Sequence, residues 1–358
     1  MKSLVLVITL ASCLVVAQTT AKKAKKAIVA KTTTTAPAVT APTVAIPATT
    51  PAVAMPTAPT ANETAATVPA DIKNGDLKSI DQEITNAKMR AELGANKKYS
   101  FQGALGYSGG TVERPFSEVR PAIRNGLTST PAPAAISGTV SGKYKINANN
   151  SLSLNTGVKI ITPFHGSYAN NKMENPVKTS AKKEVDRFAV ADPSLSYTHA
   201  RKIGDLQSIS SVESSFYTSS FLVDDLGAIG SIDLSQTIAG DFSGWTAGAY
   251  VGISKTFYKS DLTVAQKGAE SLVSMYMSPF AEYAFNDNYS FRTVMNYFSW
   301  DIAANGGQGS ATAENPQQSM GLGMAITRDI YVYPNVQFMP FNVRSDLTNV
   351  ALSTTINL

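Results

Sequence analysis

His165, Gly166 and Ser167 set an imidazole two residues from a hydroxyl, and alternate residues of a strand share a face. A base so placed could activate the hydroxyl as a nucleophile. Pro163 and Gly166 instead assign the stretch to a loop, where that spacing fixes no common face, so an ordinary loop histidine is expected. The other histidine, His199, lies in SYTHARK beside Arg201 and is expected near a membrane–water boundary. No cluster has metal-ligand spacing, and the glycines follow strand parity instead of a phosphate-cradling pattern. The expectation is a chain that is not an enzyme, with no catalytic residues, no cofactor and no metal.

A second set of polar residues is more informative. Lys143, Lys145, Lys159, Glu213, Asp233, Tyr276, Glu282, Arg292 and Asn296 all fall on the polar side of alternating segments. Charges on the inner face of a closed sheet need water or ionic partners, because an isolated buried charge is too costly. The lysines come from the segments near 136 and 151, and the carboxylates from those near 206, 228 and 271. These nine residues are the predicted pore lining, and their opposed charges would set a field that orients polar solutes. The competing reading is a lumen closed by internal salt bridges and in-folded loops.

The elements that must position them are strands. From Tyr99 onward a period of two prevails, and alternating segments start near Tyr99, Ile136, Ser151, Val190, Leu206, Ala228, Trp245, Ser271, Tyr289, Ser319, Ile330 and Leu347. The connections alternate in length: short turns at NANN, KIGD, GDFSG, NDN and RD interleave with longer loops such as 109–134, 162–187 and 301–317. An even strand number with short turns on one rim and longer loops on the other is the pattern of an outer-membrane barrel with periplasmic termini. Segment lengths of about nine to twelve residues match a tilted membrane span. Apolar-face aromatics recur at segment ends, as in Tyr99 and Tyr107, Tyr283 and Phe285, and Tyr289 and Tyr297. The fold class expected is a 12-stranded antiparallel up-and-down transmembrane β-barrel over residues 99–358, in which NVALSTTINL pairs back with YSFQGALGYS to close the ring.

Ahead of the barrel the composition changes. Every aromatic residue lies at or beyond Tyr99. Residues 1–17 form a signal peptide: Lys2 and an apolar run too short to span a bilayer as a helix. Leu10-Ala11-Ser12-Cys13 also fits a lipoprotein box, so cleavage after Ala17 and lipidation at Cys13 both stand. Residues 18–70 hold five lysines within KKAKKAIVAK and then an Ala/Pro/Thr-rich spacer expected to be disordered and extended, reaching on the order of 100 Å. The basic run is a solvated tail or a contact with anionic lipid or with peptidoglycan. In residues 71–95, Leu77, Ile80, Ile84, Ala87 and Ala91 repeat at three and four and Gly94 supplies a stop, so one amphipathic helix of about four turns is expected. Its narrow stripe suits a periplasmic coiled coil between copies or a plug in the lumen.

ITNAKMRAELGANKKYSFQGALGYSGG, VADPSLSYT and RDIYVYPNVQF resemble segments of a poorly characterised family of porin-like outer-membrane barrel proteins from predatory Gram-negative bacteria. The resemblance spans roughly residues 80–358 and implies a porin-like barrel in the outer membrane. The final strand also resembles the C-terminal signal read by the barrel-assembly machinery, with Leu358 in place of Phe or Trp. Expected partners are outer-membrane lipid and lipopolysaccharide, that machinery, and a second copy of the chain, with no nucleic acid. The expected function is passive diffusion of ions or small polar solutes. The alternative is a plugged or autotransporter-like barrel that tethers or displays its N-terminal segment.

Overall fold

The computed structural model describes residues 80–358, apart from 82, 124–130, 179–181, 264–265, 268–270, 297, 304–309 and 313–316. The signal peptide, the spacer and the first part of the expected helix lie outside the described residues. Twelve strands form the barrel: β1 (Tyr99–Thr111), β2 (Ala135–Lys145), β3 (Asn150–Ile161), β4 (Phe188–Ile203), β5 (Leu206–Phe216) and β6 (Ala228–Phe242). They continue as β7 (Trp245–Tyr258), β8 (Ser271–Ala284), β9 (Tyr289–Asn296, carried on by Phe298–Ala303), β10 (Gln317–Thr327), β11 (Ile330–Phe338) and β12 (Asn349–Asn357). A short piece, Ser310–Thr312, extends the ladder beside the end of β9.

Each strand pairs antiparallel with its neighbours in sequence, and β1 pairs with β12 from Gln102↔Asn357 to Thr111↔Asn349 to close the ring. A closed ring leaves no unpaired edge. The expected strand starts agree with these ranges to within two residues. At the seam, Phe101 and Leu358 exchange two backbone hydrogen bonds, at 3.1 and 2.8 Å, so the last residue is tied to the first strand.

Register fixes which side chains face in. The pairings Lys143↔Ser153, Ser153↔Ser196, Ser196↔Glu213 and Glu213↔Asp233 carry one inward row across five strands. The opposite parity places Leu154, Leu195, Val212, Leu234, Met277, Leu322 and Leu352 outside, all exposed. An apolar outer surface this continuous is unusual for a protein facing water. At the short-turn rim Tyr99 packs on Tyr144 with ring centroids 5.3 Å apart, and Trp245 packs on Tyr283 at 5.0 Å. His199 faces outward at that rim, with Nδ1 2.8 Å from Asn150 Oδ1.

The helical segment departs from expectation. Residues 80, 81 and 83 are helical, residues 84–86 are not, and α1 spans only Ala87–Glu92. Asn86 is the reason: its extended backbone, with ψ 124°, caps α1, and its side chain accepts from Met89 N at 3.1 Å. Thr85 and Asn86 favour such local bonding over a helix interior. Gln207 on β5 fixes the break, because its Oε1 accepts from both Thr85 N and Asn86 N at 2.9 Å.

The first long loop folds back over the opposite rim. Its hairpin, Val119–Pro121 with Pro131–Pro133, places Ile123 against Met339 and Leu347. The inward Asn349 donates to Pro121 O at 3.0 Å.

Candidate functional site: the lumen and the segment seated in it

Residues 80–96 sit inside the short-turn end of the barrel. Their apolar side chains Ile80, Ile84, Met89 and Leu93 pack in one cluster with the inward Ala200, Ile209, Ala239 and Phe280. Ala91 packs on Tyr331 and Tyr333. Burying each of the larger side chains contributes about 1.5–3 kcal/mol. Gly248 makes room for this packing, since a Cβ there would lie 2.7 Å from the Phe280 ring.

Polar residues of the wall satisfy the backbone groups that α1 leaves open at its end. Gln102 Nε2 and Asn357 Nδ2 both donate to Ala91 O, at 2.9 and 2.8 Å. Lys143 Nζ donates to Glu92 O at 2.6 Å, and Lys145 Nζ to Asn96 Oδ1 at 3.0 Å. Arg328, in the turn between β10 and β11, donates to Gly94 O at 2.6 Å and grips both carboxylate oxygens of Asp81, at 3.1 and 2.9 Å.

Burial would raise the Asp81 carboxyl, but the Arg328 guanidinium outweighs it and holds the carboxyl below its ordinary range. Because the folded value is depressed, the stabilisation is present above the unfolded carboxylate pKa and is lost as pH falls through the folded one. We expect hydrogen-exchange protection of residues 80–83 to be full at neutral pH and to drop below roughly pH 4. An Asp81→Asn variant should show weaker protection at neutral pH and no such drop.

A buried network joins the segment to the far wall. Glu282 accepts from Arg292 NH1 at 2.6 Å, from Asn86 Nδ2 at 2.9 Å and from Ser290 Oγ at 2.5 Å. Glu282 and Arg292 are each 5% exposed, and the Arg292 guanidinium lies 4.6 Å from the Phe280 ring centre.

Beyond the segment lies a cavity of about 740 Å³. Lys88, Met89 and Glu92 bound it on the segment side, and its walls carry hydroxyl side chains such as Ser141, Ser196, Ser211 and Thr237 together with Asn155. Tyr250 and Tyr276 stack in the wall with centroids 5.6 Å apart.

By register, all nine residues singled out in the sequence face inward. Lys143, Glu213, Tyr276, Arg292 and Asn296 border the cavity. Lys145 and Glu282 are turned to the segment, Asp233 accepts from Ser231 Oγ at 2.5 Å, and Lys159 is an exposed residue toward the long-loop rim. Among the described residues neither Glu213 nor Asp233 is in an ion pair.

Sequence reasoning missed Gln102, Gln207, Arg328 and Asn357, which hold the segment. Their signal was available: each is polar, and each lies beside the rim where the chain enters. The His165–Ser167 pair is not joined. The His165 ring meets Phe116 O, while Ser167 Oγ accepts from Ala169 N at 3.2 Å. Arg187, 2% exposed, organises that loop by donating to Thr162 O and Ser167 O at 3.0 and 2.8 Å.

No protein-family model matches the chain, and no curated protein matches it. Among solved structures it is similar to an outer-membrane channel from Pseudomonas putida F1, at 12% identity and a TM-score of 0.46 over 74% of this chain and 96% of that one. It is also similar to the NanC porin, at 10% identity and 0.36 over 72% and 97% of the two chains. OmpF of Salmonella typhi, solved with daunomycin, gives 9% identity and 0.32 over 73% and 97%.

Proposed function

We propose that the chain is a porin-like channel of a bacterial outer membrane that passes ions or small polar solutes, with both termini at the periplasmic rim. The observation that carries this reading is the inversion of polarity across one wall: leucines and valines outside, serines, threonines and charged groups inside around a cavity. Residues 80–96 narrow the periplasmic mouth in this reading. Export by residues 1–17, folding by the barrel-assembly machinery and contacts with lipid and lipopolysaccharide belong to the same proposal. So does membership of the porin-like family of predatory bacteria, which rests on the quoted segments.

The seated segment favours a second reading, in which the barrel is an anchor for its N-terminal tether. Insertion of the folded chain into a planar bilayer separates the two. Discrete current steps are expected from a channel. A folded chain that yields none, either intact or cut back to residue 99, is an anchor.

A further inference from the structure

Glu92 closes α1 and faces the cavity among three cations. Lys88 pairs with its carboxylate, one turn before it on α1. Lys143 holds its backbone carbonyl at 2.6 Å, and Arg292 borders the same cavity. The Glu92 side chain is 38% exposed, so the lumen reaches it. Burial acts to raise its pKa, yet the charges of Lys88, Arg292 and Lys143 outweigh burial and hold the carboxyl below its ordinary range.

The cations have capacity to spare. Lys143 is given to a backbone carbonyl, a weaker acceptor than a carboxylate. Arg292 uses NH1 on Glu282, and its Nε, buried away from solvent, has no partner among the described residues. The wall thus supplies Lys143 and Arg292, the latter already paired with Glu282, and the segment supplies Lys88 together with Glu92, the carboxylate that Lys88 holds.

We propose that Lys88, Lys143 and Arg292 form a binding site for small carboxylate-bearing solutes, which Glu92 occupies as a tethered stand-in. An entering carboxylate competes with Glu92 for the ammonium groups and draws Lys143 off the Glu92 carbonyl, which loosens the end of the seated segment. The proposal rests on the channel reading and names the class of solute that the channel would take.

The test is calorimetric titration of the full chain in detergent with succinate, and with glycerol as the uncharged control. A tethered competitor acts at millimolar effective concentration, so Glu92→Gln should bind succinate about tenfold more tightly than the parent. Lys143→Gln should bind it at least about tenfold more weakly. Heat-modifiable migration confirms that each variant is folded. Succinate binding unchanged by Glu92→Gln, or retained in folded Lys143→Gln, overturns the site, as does glycerol binding of equal strength. Binding in a chain that passes no current in bilayers would refute the channel reading alone, whereas current without succinate binding would refute the site alone.

Discussion

A chain cut to residues 99–358 passes several-fold more current per channel than one that keeps residues 71–358. The barrel's own ladders run wall to wall and need nothing from the segment, so the shortened chain closes. What it loses is the apolar cluster of Ile80, Ile84, Met89 and Leu93 that fills one end. Twelve strands enclose a lumen between the filled eight-stranded and the open sixteen-stranded cases, so its width is decided by what lies inside it. Single-channel recordings of the two chains, side by side, check this. Equal currents would show that ions already pass beside the segment, and the narrowing assigned to it would be wrong.

Glu282→Gln unfolds at markedly lower denaturant than the parent, by about 3–5 kcal/mol. The substitution keeps the shape and removes the only charge that an almost wholly buried Arg292 bonds to among the described residues. It also weakens the bond from Asn86, and so the grip on the break before α1. If the loss comes from the stranded cation, adding Arg292→Met should restore most of it, because a buried ion pair replaced whole is often neutral. Urea titrations of the single and double variants in one detergent decide it. A single variant within about 1 kcal/mol of the parent would mean that lumen water solvates Arg292 well enough to replace its partner.

Strand parity explains how far the sequence could be followed. Alternation over Ile136–Ile146 or Trp245–Ile253 states which side chains share a face, and closure then leaves one face for the lumen. That is why nine residues chosen by parity all turn inward. Parity does not say what an inward residue meets. Lys143 and Lys145 look like pore charges in the sequence, yet both reach the N-terminal segment. The periodicity of residues 77–91 suggested one helix because Ile80, Ile84, Ala87 and Ala91 keep helical spacing across the interruption. Gln207, Asp241 and Glu282, all more than a hundred positions away, bond Thr85 and Asn86 and make the break there favourable. The polar character of these residues is visible in the sequence, but which distant partner each one meets is not.

Ala91 O is held by Gln102 from β1 and by Asn357 from β12, and those two side chains also bond each other at 2.8 Å. Half of this seat belongs to the first strand and half to the last. It does not exist until the two ends of the sheet have met. This last part of the seat can therefore form only after the ring is shut, whereas the contacts with Gln207, Glu282 and Arg328 do not wait for it. A chain caught before closure should leave the stretch around Ala91 open to protease, and acquisition of protection there would date the moment at which the barrel is complete.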